Sequence, residues 1–387
     1  MEQFAKRTNW NLAPNRLSEA LAKLRASGAR LLDLTASNPT KCGFKYDEER
    51  ILKALANRAS LAYEPEPQGL ETAREAVAKY YSSLGAAVTI EDIFLTTSTS
   101  EAYSFVFRLI CEPGDELLIP APSYPLFEYL SDIQDVKLVR YPLVYDHGWQ
   151  IDIHALRSAI SPRTRGVIVV NPNNPTGQYV KKAEAEKLNE ICSDRQIALV
   201  ADEVFLNFSH GNAMPVSFAA NSSALTFTMS GISKLSGLPQ MKAAWLIVSG
   251  PEKLRKEAKA RLEVIADTHL SMNAPVQLAM PQFLELRAGF QKQLMARVKE
   301  NLHELDRQLF SQEACNRLEI EGGWYVVLRI PATKSDEDFA IELLHKYSVY
   351  VHPGHFFDFP SEGFLVVSLI APERDFAEGI RLLLSML

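Results

Sequence analysis

The 387-residue chain is poor in the features that mark several large protein classes. It has four cysteines, Cys42, Cys111, Cys192 and Cys315, widely spaced and without a CxxC pair. That excludes a sequence-evident disulfide framework or zinc knuckle and predicts scattered reduced thiols, as in a cytoplasmic protein. No apolar run approaches the roughly 20 residues that a membrane-spanning helix needs. The first residues, Met1-Glu2-Gln3-Phe4-Ala5-Lys6-Arg7, lack the apolar core of a signal peptide. Basic excess is missing too. The formal net charge is −6, which leaves no electrostatic footprint for nucleic acid. No GxGxxG turn follows a strand pattern, which argues against a nicotinamide dehydrogenase.

What remains is an ordinary globular composition, 47% hydrophobic and 23% charged. A chain of this length exceeds what one core fills, so two domains are expected. Short apolar runs at Phe94–Thr96, Glu116–Ile119, Val136–Tyr141, Val167–Val170, Ile197–Ala201, Leu225–Thr228 and Trp245–Val248 read as strands. Several lack polar alternation, as strands buried on both faces do. Helix patterns lie between them at Leu70–Ser82, Ser100–Cys111 and Lys181–Asp194. This order predicts an α/β fold: a mostly parallel central sheet with helices on both faces. After about Pro251 the pattern changes to a long helical region, with Pro275 as a break or first-turn residue. A hairpin pattern follows over Leu318–Leu328. We read residues 42–280 as a large domain. Residues 1–41, including a helix over Arg16–Ala26, join 281–387 in a smaller α+β domain.

Lys234 stands in a loop of small residues, Ser230 to Lys242, between two apolar runs. Most lysines lie in solvent. One placed between buried strands loses solvent, its pKa falls, and its amine becomes available to attack a carbonyl. Thr97-Ser98-Thr99-Ser100 joins a strand pattern to a helix pattern, where free N–H groups and hydroxyls suit a phosphate. One hydroxyl would suffice for a plain cap. Asn171-Pro172-Asn173-Asn174-Pro175-Thr176-Gly177 follows a strand, at the end of an open sheet where ligands collect. Asp202 ends the next strand. A carboxylate there can keep a pyridine nitrogen protonated, and Glu203 should point the other way. Tyr124, after another strand end, can stack on a planar ring.

Taken together, Tyr63…Gly69…Arg74, Thr97–Glu101, Pro122–Tyr124, Asn171–Gly177, Asp202 and Ser233-Lys234 with Gly237-Leu238-Pro239 resemble the class I/II aminotransferases, pyridoxal-phosphate enzymes of the aspartate aminotransferase fold. The resemblance runs from about Leu32 to Ser368. It implies a Schiff base and a proton shuttle at Lys234, and Asp202 on the pyridine nitrogen. It places Asn174 at the phenolic oxygen and Tyr124 against the ring. Ser98, Thr99, Ser100 and Ser233 fall on the phosphate. Tyr63 would reach the phosphate of the other subunit, which implies a homodimer. Cis peptides are implied at Ala121–Pro122 and Asn174–Pro175. The implied reaction moves an amino group between an amino acid or amine and a 2-oxo acid. The alternative on the same fold is a lyase, decarboxylase or cyclase. A regulator with such a domain would need a DNA-binding module ahead of it, for which few residues remain.

Three positions depart from the family pattern. Lys242 stands where the family has an arginine on the phosphate, keeping the charge and losing the fork. Phe205 replaces a tyrosine that donates to the phenolic oxygen. Val366 occupies the position of the arginine that binds the substrate carboxylate. Asn38, on the substrate-side loop, and Arg16, Arg329 and Arg374 are the replacements the sequence offers.

Overall fold

A computed structural model describes residues 3–125, 127–211, 215–270 and 272–387. Its central sheet has eight strands, in the spatial order Ile93–Thr96, Ala244–Ser249, Thr226–Gly231, Ala198–Asp202, Thr164–Val170, Glu116–Ala121, Lys137–Tyr145 and Trp149–Ile151. The strands from Thr226–Gly231 to Lys137–Tyr145 run parallel. Ala244–Ser249 is antiparallel to both neighbours, and Trp149–Ile151 forms an antiparallel edge. The sheet is therefore mixed but mostly parallel. Apart from exposed Arg165, these inner strands are buried along their length, which is why their sequences read as apolar runs.

Helices cover both faces. Glu71–Ser83 and Ala274–Leu309 pack over one set of buried residues, including Val77, Trp245 and Phe283. Thr99–Ile110 and Glu252–His269 pack over another, including Phe107, Ile168 and Leu262. Pro275 lies in the first turn of the 36-residue helix Ala274–Leu309, where its missing N–H costs nothing. Pro281 lies inside the same helix.

A second sheet, of four antiparallel strands, has the order Asn316–Arg317, Tyr325–Arg329, Phe364–Ser368 and His352–Pro353. The expected hairpin is its Asn316–Arg317 and Tyr325–Arg329 pair. Leu32–Asp33 pairs in parallel with Val349–Tyr350, and the Arg16–Ala26 helix packs on the Asp336–Tyr347 helix. These contacts draw the N-terminal segment onto the C-terminal elements. Among the described residues no helix is long and apolar enough to cross a membrane.

Candidate active site

Four parallel strand ends and one helix start meet at a cavity of about 340 Å³. Ser98, Thr99, Ser100, Tyr124, Asn174, Asp202, Ser233 and Lys234 all line it. The crevice beyond the carboxyl ends of parallel strands is where an open α/β sheet leaves space.

Lys234 sits in the short Ile232–Leu235 helix directly after the Thr226–Gly231 strand. Its loop is tied down from outside: Tyr46 Oη donates to Gly237 O at 2.8 Å, and Gln291 Nε2 donates to Leu235 O at 2.9 Å. Gly237 has φ +67°, and a Cβ there would lie 2.4 Å from the Phe290 ring, so the position requires glycine. Lys234 Nζ reaches Ser37 O at 3.5 Å and lies 5.1 Å from the Trp324 ring centroid and 5.9 Å from that of Phe205. Burial pulls its pKa down to about 8, against the opposing pull of Asp202.

Asp202 accepts hydrogen bonds from Tyr103 Oη at 3.0 Å and from Val204 N at 3.1 Å. Burial raises its pKa to about 6 in spite of these bonds and of the Lys234 charge. Glu203 points away, as the strand alternation predicts. It accepts from Phe218 N at 2.7 Å and Ser217 Oγ at 2.6 Å and does not line the cavity.

Asn174 is buried, and its Oδ1 has no hydrogen-bond partner. The surrounding turn holds it. Asn173 Nδ2 donates to Pro122 O at 3.1 Å, Gly177 N to Asn173 O at 2.8 Å and Asn171 N to Asp202 O at 2.8 Å. The peptides Ala121–Pro122 and Asn174–Pro175 are cis, and so is Asn171–Pro172. At the head of the Thr99–Ile110 helix, Ser98 Oγ caps Glu101 N at 3.2 Å, and Glu101 accepts from Thr97 N at 2.6 Å. Ser98 is thus partly spent as a cap, while Thr99 and Ser100, in the first turn of the helix, line the cavity.

Four expected residues do not line the cavity. Tyr63 is 78% exposed. Lys242 is exposed in a left-handed backbone conformation, φ +54°. Asn38 caps its own turn, its Oδ1 accepting from Thr40 N at 3.1 Å; its neighbour Ser37 takes the cavity position instead. Val366 is buried in the small sheet, paired with Val327 and His352. None of the candidate arginines lines the cavity either. Arg16 pairs with Glu337 and Asp338, Arg329 lies over the Phe364 ring, and Arg374 is exposed.

Sequence reasoning missed Tyr103, Tyr325 and His352. Tyr103 lies one turn beyond Ser100 on a helix already suspected, so i+3 spacing could have found it. Tyr325 and His352 come from the small sheet and line the cavity from the other side.

The family model for aminotransferase class I and II matches residues 29–375. Among curated relatives, glutamate-pyruvate aminotransferase AlaA of Escherichia coli strain K12 is 31% identical over 260 residues, which is 67% of this chain and 64% of that one. The chain thus spans under two thirds of that relative's length. Alanine aminotransferase of Mycobacterium tuberculosis strain H37Rv is 26% identical over 371 residues, 93% of this chain and 86% of the relative. Among solved structures, alanine aminotransferase from Pyrococcus furiosus superposes with a TM-score of 0.90 at 24% identity, covering 99% of each chain. Aspartate aminotransferase of Thermus thermophilus gives 0.87 at 23%, covering both chains fully. These last two likenesses carry the fold; the family match carries membership. The chain belongs to the aminotransferase class I and II family.

Proposed function

We propose that this protein is a pyridoxal-phosphate-dependent aminotransferase that moves an amino group between an amino acid or amine and a 2-oxo acid, with Lys234 as the Schiff-base and proton-shuttling residue. The observation that carries this reading is the single cavity gathering Lys234, Asp202, Asn174, Tyr124, Ser233 and the hydroxyls of Ser98 to Ser100. The names of the relatives, glutamate-pyruvate and alanine aminotransferase, support it.

The donor set fits the cofactor. Asn174 Oδ1 is a buried polar atom with no partner inside the protein, and a ligand would satisfy it. Lys234, with its lowered pKa, supplies an amine that is neutral in a useful fraction near neutral pH. Asp202 would hold the ring nitrogen, with Tyr103 orienting the carboxylate. Ser98, Thr99, Ser100 and Ser233 would hold the phosphate, and Lys242, two residues before the cavity-lining Ala244, would add positive charge. Tyr124 would cover one face of the ring. When bound, pyridoxal phosphate supplies an aldehyde for amines and a protonated ring that draws electrons from the substrate's α-carbon. Lys234 Nζ would take up and return the substrate's α-proton, and the buried rings of Phe205 and Trp324 would keep water from that nitrogen.

The same reading makes the active unit a cytoplasmic homodimer in which Tyr63 reaches the neighbouring site, and divides the chain into residues 42–280 and residues 1–41 with 281–387. A lyase, decarboxylase or cyclase outcome is the second reading. It draws on the absence of an arginine among the described residues lining the cavity.

Loading the protein with pyridoxal phosphate, reducing it with borohydride and mapping the labelled peptide tests the assignment. The label is expected on Lys234 and is expected to vanish in Lys234→Ala. A label on another lysine would overturn it.

A further inference from the structure

A substrate carboxylate enclosed in this cavity needs a partner that is charged or strongly hydrogen-bonding. The charged side chains among the described lining residues are Lys234 and Asp202, both occupied by the cofactor in the reading above. The small sheet turns one face to the cavity. Tyr325 pairs with Ser368, while Val366 pairs with both Val327 and His352. Directly paired residues of antiparallel strands share a face, as do residues two apart, so positions 325, 327, 352, 366 and 368 lie on one side. Tyr325 and His352 line the cavity from that side. Of the five, His352 alone can carry a positive charge, and it stands opposite Val366, the position without its arginine.

His352 is also incompletely satisfied. Its ring packs among Tyr350, Phe356 and Phe357, with centroids 5.7, 5.8 and 5.8 Å away. Its Nδ1 is buried and has no hydrogen-bond partner. A buried imidazole nitrogen left unpaired is costly unless a ligand meets the ring.

We propose, resting on the aminotransferase reading, that His352 is the specificity-determining residue that meets the substrate carboxylate, and that it takes up a proton as the carboxylate binds. Burial holds His352 down to about 4, while the Asp33 carboxylate pulls the other way. The neighbouring phenol is Tyr350; Tyr325, Asp202 and Lys234 face the same cavity. At neutral pH the free imidazole is therefore uncharged. An adjacent carboxylate favours the imidazolium, so the pKa rises on binding and one proton enters from solvent with the ligand. Substrates of this class are amino acids and oxo acids with a free carboxylate; their amides lose the partner.

The test uses the cofactor-loaded protein with 2-methylalanine and its amide. These have no α-hydrogen, so transamination does not consume them and binding is read by itself. Calorimetry in two buffers of different ionisation enthalpy gives affinity and proton uptake. The parent is expected to bind the acid roughly 10- to 100-fold more tightly than the amide, with proton uptake beyond the balance set by the ligand's own ammonium. His352→Phe is expected to abolish both the preference and the uptake. His352→Gln, which can still form a hydrogen bond, is expected to keep part of the preference without the uptake. Unchanged cofactor absorbance and melting temperature show that the variants are folded. A parent that does not prefer the acid, or a His352→Phe protein that keeps both preference and uptake, would overturn the proposal. The aminotransferase reading is judged separately, by whether amino donors with an α-hydrogen convert the bound cofactor.

Discussion

Tyr103 donates a hydrogen bond to Asp202 Oδ2 across 3.0 Å, linking the Thr99–Ile110 helix, whose first turn lines the cavity, to the carboxylate that also lines it. That bond favours the ionised carboxylate against the burial that disfavours it. Tyr103→Phe keeps the ring and its packing on Phe127 and removes the donor. A hydrogen bond to a charged group contributes about 1.5–3 kcal/mol. Cofactor affinity and kcat are each expected to fall by roughly tenfold or more. Dialysis of the loaded protein and steady-state kinetics measure the two losses.

The lysine is expected to show its burial in its pH dependence. An amine with a pKa near 8 is half deprotonated there, so its reactivity rises with pH and levels just above that value. The rate of pyridoxal phosphate attachment to the cofactor-free protein is the measurement. A rate still climbing steeply beyond pH 9 would mean that the amine keeps an ordinary lysine pKa, about 10.4.

Phe205 is buried, packed edge-on against Trp324 with centroids 4.8 Å apart, and lines the cavity beside Lys234. It has no hydroxyl to steady a phenolate. Phe205→Tyr would supply one, which favours the ionised cofactor oxygen and lowers the pH midpoint of the visible band. A downward shift of about one unit is expected. An unchanged midpoint would show that position 205 does not face the phenolic oxygen.

The lysine loop makes a stability prediction. Gly237→Ala puts a Cβ into the Phe290 ring at a left-handed position, so two penalties add. A loss of about 2–4 kcal/mol is expected, read as a lower melting temperature. Gly28→Ala, at φ +72° with open space around the Cβ, carries the backbone penalty alone and is the control.

Much of this site was legible in the sequence because its parts are local. The Asn171–Gly177 turn, Asp202 and the Ser233–Lys234 pair each follow a buried strand directly, and strand ends in a parallel sheet converge on one edge. The Arg16–Ala26 helix was also legible, with the same bounds. Two kinds of feature were not. Ala244–Ser249 reads like any buried strand, because direction leaves no trace in an apolar run; its antiparallel placement follows from the tight return after Lys234. Tyr325 and His352 belong to the second sheet, far along the chain from the strand ends, and their approach depends on a register that spacing does not encode. Ser37 took the place expected for Asn38 because the Asn38 amide is consumed in capping its own turn.

The central claim is that Lys234 carries out reversible amino transfer, and a two-step absorbance experiment on the cofactor-loaded protein tests it most directly. Amino donors from a panel are added alone, and a 2-oxo acid is added afterwards. The expected result is stoichiometric loss of the visible band with the donor and its return with the oxo acid, both absent in Lys234→Ala. Continuous release of ammonia or carbon dioxide without loss of the band would contradict amino transfer and favour the lyase or decarboxylase outcome.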